Sequence, residues 1–521
     1  MRRSIATVCL SGTLEEKLAA AAAAGFDAVE LFEPDLIASP YTPAEVRRRC
    51  EALGLEIALY QPLRDFEAVP EERFAANLRR AEAKFAVMEE LGADTVLVCS
   101  NVSPHAIDDD ALAAAQLREL AERGARRGIR IAYEALAWGR HVRDYDHAWR
   151  IAEAGDHPAL GTCLDSFHIL SRGADPSGIR DIPAEKIFFL QLADAPELVM
   201  DVLQWSRHYR CFPGQGGFDL AGFLAHVLAA GYDGPLSLEV FNDVFRQADP
   251  GRMAVVAMRS LLLLEDELPP AAALRGYAFA ELAVAPERAA DLERLLIAMG
   301  FRHAGQHRSK PVQLWRHGET RVLVNHEPPC EEPRIAAIAV ESADPIRSAE
   351  RAEALLAPSL PRDRAPGEAD LTSVAAPDGT ALFFCGTDDW ARDFMTAGAP
   401  GPGAELTGID HVALSQPFDF FDEAALFYRS VLGLELEAGA ELAAPDGLVR
   451  SRAARTDLAP EAIARMRELG VLYEAGERGE LLHFYTAMAS PSLFFEVLER
   501  RGGYDGYGAS NSPVRMAAQI R

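Results

Sequence analysis

Four short apolar runs between residues 130 and 242 (IAYEAL, CLDSFH, FLQLAD and LSLEVF) each stop at an oxygen-bearing side chain: Glu134, Asp165, Gln191 and Glu239. Three carboxylates and one amide oxygen suit a hard divalent cation such as Mg²⁺, Mn²⁺ or Co²⁺, and oxygen ligands alone do not choose among the three. One acidic residue at a strand end is ordinarily a cap or a solvated loop residue; four oxygen ligands on successive strands are harder to assign that way. His168 follows Asp165 by three residues in LDSFHIL. Its imidazole therefore leaves the same strand end, where it can serve as general base, the reading favoured here, or as a fifth ligand. The stretch VLQWSRHYRCFPGQGGFDL sets Arg207, His208 and Arg210 beside Trp205 and Tyr209, more polar chemistry than a surface loop needs for folding. Arg64, in YQPLRDFE, is a second arginine for the same rim; its plainer use is a surface salt bridge to Asp65 or Glu67. Two such arginines would hold a carboxylate through paired N–H donors.

For these side chains to converge, their strands must lie side by side. From the first residues, strand-like and helix-like runs alternate: SIATVCL, AVELFE, LEIALYQ, TVLVCSN, RIAYEAL, LGTCLD, IFFLQLAD and GPLSLEVF are the strands, with helical patterns such as TLEEKLAAAAAAGF, TPAEVRRRCEALG and DYDHAWRIAEAG between most of them. Thr13 caps one helix and Pro43 opens another at a first-turn position. Eight such repeats match an α/β fold, a (β/α)₈ TIM barrel over residues 1–270, whose site sits at the carboxyl ends of the strands. An open doubly wound sheet would want a Gly-rich first turn, and SGT after the first strand is not one.

A chain of 521 residues is too long for one core. Its formal charge of −27 repels phosphate backbones, so no nucleic-acid partner is expected. The same field does not attract anionic substrates, so a carboxylated one needs dedicated arginines. Seven scattered cysteines without a CxxC pair read as free thiols in a reducing compartment. With neither a signal-peptide pattern nor a membrane-length apolar run, the expected location is cytoplasmic.

The first half resembles the xylose-isomerase-like barrels, and more closely the bacterial 3-dehydroshikimate dehydratases. The resemblance runs from about Ser4 to Leu268 and is carried by VELFEPD, YQPLRDFE, YEALAWGRH, DSFHILSRG, LQLAD, LEVFND and, most specifically, WSRHYRCFPGQG. It implies that Glu134, Asp165, Gln191 and Glu239 bind a divalent metal, that His168 is the acid/base and that Arg64, Ser206 and Arg210 contact substrate. The implied reaction is dehydration of 3-dehydroshikimate to protocatechuate. A cation would polarise the ring ketone, His168 would take the neighbouring proton, and the hydroxyl β to the ketone would leave as water.

After the Pro/Ala-rich join PPAAALRG the pattern changes to repeated strand, helix, strands over residues 271–521: YAFAELAVAP with ERAADLERLLIAMGF, RIAAIAVES with SAERAEALL, and TGIDHVALSQ with FDEAALFYRSVLGLE. These βαβββ modules resemble the vicinal-oxygen-chelate superfamily, and GFRHAGQHRSK, GIDHVAL, ELLHFYT and SLFFEVLERRGG are similar to 4-hydroxyphenylpyruvate dioxygenase. The resemblance carries the first histidine and the glutamate of an Fe(II) site onto His411 and Glu496. The second histidine would fall between Arg450 and Glu480, a stretch with no histidine and no opening strand, so part of the fourth module is expected to be missing; His483 is the nearby substitute. An incomplete triad binds iron poorly, so a structural or oligomerisation role, in a homo-oligomer, is expected of this half. The Gly- and Ser-rich tail is expected to be loosely ordered.

The competing readings are a ketose or inosose isomerase or dehydratase on the same barrel, and a non-enzymatic protein binding an aromatic ligand in the second half. Arg64 and Arg210 argue against the first, because a neutral sugar has no carboxylate for them. The second leaves the four strand-end ligands unexplained.

Overall fold

Local signals start the barrel helices where the sequence places them. Thr13 and Thr42 each accept the backbone N–H three residues on, from Glu16 and Glu45, and those glutamates reach back to the cap: two capping boxes. Between such helices run β1 (Arg3–Ala6), β2 (Ala28–Phe32), β3 (Glu56–Leu63), β4 (Thr95–Cys99), β5 (Arg130–Glu134), β6 (Leu160–Asp165), β7 (Ile187–Leu192) and β8 (Leu236–Leu238). Each pairs in parallel with the next, and β8 pairs with β1, closing the barrel. Strands covered on both faces read as continuous apolar runs, and every residue of β4, β6, β7 and β8 is buried.

The computed structural model describes residues 1–327, 330, 332–386, 389–396, 406–435, 458–508 and 511. Two compact units divide the chain: residues 1–269 with 417–430, and residues 270–416 with 431–521. Residues 417–430, read from the sequence as part of a third repeat, fold with the barrel. Among the described residues no helix is long and apolar enough to cross a membrane.

The second unit holds an eight-stranded mixed sheet made of β9 (Leu274–Ala283), β10 (Arg302–His307), β11 (Val312–His317), β12 (Thr320–Asn325), β13 (Arg334–Ser342), β14 (Thr372–Ala375), β15 (Ala381–Cys385) and β16 (Phe394–Thr396), in the order β14-β15-β13-β9-β12-β11-β10-β16. The opening strand of each repeat pairs in parallel with its closing strand, β9 with β12 and β13 with β15. The two opening strands meet antiparallel. Phe279, Leu314, Leu323, Trp390 and Phe394 fill one face.

A separate three-stranded sheet joins β17 (Leu472–Gly476), β18 (Gly479–Tyr485) and β19 (Glu496–Arg501). One expectation changes here: GIDHVAL forms no ladder among the described residues, and His411 sits on an unpaired segment. Between Arg450 and Glu480 the described residues hold a helix, Pro460–Leu469, followed by β17, and none of them forms a strand before that helix. Residues 450–457 and most of the Gly- and Ser-rich tail lie outside the described residues.

Candidate active site

Glu134 and Asp165 are the last residues of β5 and β6, Gln191 is next to last in β7, and Glu239 immediately follows β8. Because the strands are parallel, the four lie at the same, carboxyl-terminal end of the barrel, with Asp165 opposite Gln191. His168 and Arg210 join them. All six residues are 4% exposed or less.

Asp165 shows how the sequence builds this corner. Its Oδ1 caps the helix Ser166–Leu170, accepting from the N–H groups of Phe167 (2.6 Å) and His168 (3.2 Å). That turn brings the His168 ring back over the strand end and leaves Asp165 Oδ2 facing Arg210 Nη1 at 2.8 Å. Glu134, Asp165 and His168 each offer a ligand atom within 4.8 Å of the others. His168 Nε2 lies 3.7 Å from Asp165 Oδ2 and 4.0 Å from Glu134 Oε1. The other ring nitrogen, Nδ1, faces the Ala137 N–H at 3.2 Å, and Arg210 Nη2 faces Nε2, also at 3.2 Å. A neutral imidazole has one lone pair for these two donors, and Nε2 is the nitrogen turned toward the carboxylates. Burial lowers the His168 pKa to about 3; Arg210, Arg207 and Arg64 push the same way while Asp165 opposes them.

The sequence reading passed over one member of the site. Glu30, on β2, is fully buried and accepts from Gln61 Nε2 (2.8 Å), Gln191 Nε2 (2.6 Å) and the Ser237 hydroxyl. The only signal was an acidic residue inside an apolar strand, AVELF. Its effect is to fix the amide of Gln191, whose nitrogen is bound to Glu30 while its oxygen accepts only a weak contact from Cys163 Sγ at 3.4 Å. Such outer partners decide which atom of a ligand faces a metal.

Three buried carboxylates (Glu134, Asp165 and Glu239) thus act on one buried guanidinium, that of Arg210, and a fourth, Glu30, is close enough to Glu134 and Glu239 to repel them. Burial, then the neighbouring carboxylates, pushes the pKa of Glu134 well above the carboxylate range. Glu30 and Glu239 are raised with burial as the leading cause. At Asp165 burial also pushes upward, but Arg210 and His168 outweigh it and hold the group low. Glu134 Oε1 is buried with no hydrogen-bond partner. A cluster short of positive charge, with an orphaned carboxylate oxygen aimed into it, fits a divalent cation.

The arginines divide by their partners. Arg210 is spent inside the site: Nε and Nη2 hold the Ser206 hydroxyl (3.2 and 2.9 Å), and Nη1 holds Asp165 and Glu239 (2.8 and 3.2 Å). Arg64 is half-buried and makes neither expected salt bridge, since Asp65 accepts from the Val102 N–H and Glu67 from the Asn101 N–H and Tyr133. Arg207 is half-buried between aromatic rings, 4.9 Å from Phe241 and 5.7 Å from Trp138. Trp138 in turn packs its edge on His168 at 5.0 Å. Neither Arg64 nor Arg207 pairs with a carboxylate among the described residues.

In the second unit, His411, His483 and Glu496 do come together. Glu496 lies 2.5 Å from His483 Nδ1 and 3.6 Å from His411 Nε2. The remaining nitrogens face Asn511 (2.9 Å) and Asp410 (2.8 Å), and Arg500 takes both oxygens of Asp410. Although burial works against it, the two imidazoles hold the Glu496 pKa at about 2. Charges here are matched among the side chains themselves, unlike at the barrel mouth.

Comparison with known proteins agrees with this anatomy. Residues 18–263 match the family model of the xylose isomerase-like TIM barrel, and residues 269–350 that of the N-terminal part of hydroxyphenylpyruvate dioxygenase. A 3-dehydroshikimate dehydratase of Pseudomonas aeruginosa is 44% identical over all of this chain and 98% of its own length; one of Pseudomonas putida is 41% identical over the same shares. A solved structure described as a xylose isomerase-like TIM barrel/4-hydroxyphenylpyruvate dioxygenase fusion protein superposes with a TM-score of 0.92 at 40% identity, covering 100% of this chain and 99% of that one. On these matches, the chain belongs to the 3-dehydroshikimate dehydratases, carbon–oxygen lyases in which a TIM barrel precedes a dioxygenase-like domain.

Proposed function

We propose that the barrel converts 3-dehydroshikimate to protocatechuate and water, with Glu134, Asp165, Gln191 and Glu239 holding a divalent cation and His168 moving the proton. The observation that carries the reading is the cation-poor cluster of four buried carboxylates with His168 Nε2 at its edge. When bound, a divalent cation supplies Lewis acidity toward the ring ketone. His168 Nε2 takes the proton from the carbon beside the ketone and returns it to the β hydroxyl as that group leaves as water. A proton then moves from the remaining sp³ ring carbon to the former ketone oxygen, and this tautomerisation gives the aromatic product. Trp138 and Phe167, both edge-on to His168, hold the imidazole in place and exclude water from it. Chromatography of a reaction with 3-dehydroshikimate tests the reading, with protocatechuate expected and unchanged substrate contradicting it.

The substrate carboxylate falls to Arg207, with Arg64 beside it, because these guanidiniums carry no carboxylate of the protein's own. Arg210 already has its partners; its task is to hold Asp165, Glu239 and Ser206 in register. Arg207→Met is therefore expected to raise KM for 3-dehydroshikimate by about 30-fold or more, the loss of one charge-assisted contact. The same change should leave KM for the substrate's methyl ester within about threefold. Equal effects on acid and ester would remove Arg207 from carboxylate recognition.

A further inference from the structure

The segment 417–430 stands far beyond the barrel's last helix, Pro250–Glu265, in sequence, yet it folds as part of the barrel unit. Its helix, Phe421–Leu432, is preceded by Phe420 and buries Leu426 and Phe427 completely. Arg252 pairs with Glu423 at 2.7 Å and lies 4.3 Å over the Phe420 ring, and Arg259 lies 5.3 Å over the Phe427 ring. One turn further on, Arg429 Nη1 donates to the carbonyl oxygen of Gly214. A Cβ added to that glycine would stand 3.5 Å from Leu426 and 3.7 Å from Leu263.

Gly214 turns the loop that follows Arg210, with φ at +82°, a conformation glycine adopts without strain. On the barrel side this loop is held by its donors: the Asp194 carboxylate accepts from the N–H groups of Gly214, Gly216 and Phe218, each at 3.0 Å. On the outer side it is held by an acceptor, the Gly214 carbonyl. Phe212 is anchored by stacking on Phe245 at 4.8 Å, but the three glycines beyond it contribute no side chains, so ordering the turn carries an entropy cost unless both faces are tied. Arg210 must stay within hydrogen-bond reach of Asp165, Glu239 and Ser206, and small displacements of such groups are costly to catalysis.

We propose that the helix Phe421–Leu432 is a brace for the active-site loop, and that Arg429 is a positioning residue acting through Gly214 on Arg210. This goes beyond the dehydratase reading, since it gives a segment from the chain's second half a part in the barrel's site. In the full-length chain, Arg429→Ala is expected to speed deuterium uptake across residues 209–217 and to raise KM about five- to tenfold, the equivalent of one hydrogen bond. Turnover number should fall by a similar factor, because Arg210 orders Asp165 and Glu239, the thermal midpoint should stay near wild type, and Arg429→Lys should recover at least half of both kinetic changes. Arg252→Glu should reproduce the Arg429→Ala phenotype by undocking the helix, and adding Glu423→Arg should reverse it. Unchanged uptake in Arg429→Ala overturns the brace. Faster uptake with wild-type KM, or a KM change that follows loss of folded protein, overturns the positioning role. The uptake measurement needs no substrate, so it separates failure of the brace from failure of the dehydratase reading.

Discussion

His168→Ala is expected to lower turnover of 3-dehydroshikimate by about 10²- to 10⁴-fold, the usual contribution of a positioned general acid or base. Metal stoichiometry and thermal midpoint should remain near wild type. The expectation follows from the placing of the ring: Nε2 lies near Asp165 and Glu134 but donates to neither, at 3.7 and 4.0 Å, so its removal leaves the carboxylates intact. The capping bonds of Asp165 run to backbone N–H groups and survive the substitution. Loss of bound metal in this variant would make His168 a ligand, and unchanged turnover would end its role as base.

Glu134→Gln is expected to move two quantities in opposite directions. Affinity for Mn²⁺ should fall by about 100-fold or more, because a carboxylate ligand with a free, buried oxygen is replaced by a weaker neutral one. The chelated protein should become more stable, by about 1 to 3 kcal/mol, because an unpaired buried charge beside Asp165 and Glu239 is removed and the amide N–H can donate to them. Titration calorimetry and thermal melting with and without chelator read both effects. A cluster built only for stability would give the reverse, a variant less stable in chelator; that result would contradict the metal assignment.

Much of the barrel was legible because its signals are local and regular. Capping threonines, αL glycines such as Gly54 and Gly92, and short apolar runs mark βα units without reference to their neighbours. The four strand-end side chains could be named for the same reason, since parallel strands alone bring them to the same end of the barrel. What the sequence could not reveal depends on partners distant along the chain. Glu30 is one acid in an apolar strand, and only closure of the barrel brings it against Gln61, Gln191 and Ser237. Arg207 and Arg210 lie three residues apart in one motif, and nothing local tells that one is saturated by buried acids while the other is left unpaired. The helix Phe421–Leu432 has the pattern of a repeat helix; its destination is set by Arg252, Arg259 and Gly214, which its own sequence does not show.

The most direct test is an ultraviolet assay on full-length protein stripped of metal by chelation, following the absorbance of protocatechuate with 3-dehydroshikimate as substrate. No product is expected before metal is added, and saturable turnover is expected on addition of Mg²⁺, Mn²⁺ or Co²⁺. Equal product formation with and without metal, or none with any of the three ions, would contradict a metal-dependent dehydratase built on Glu134, Asp165, Gln191 and Glu239.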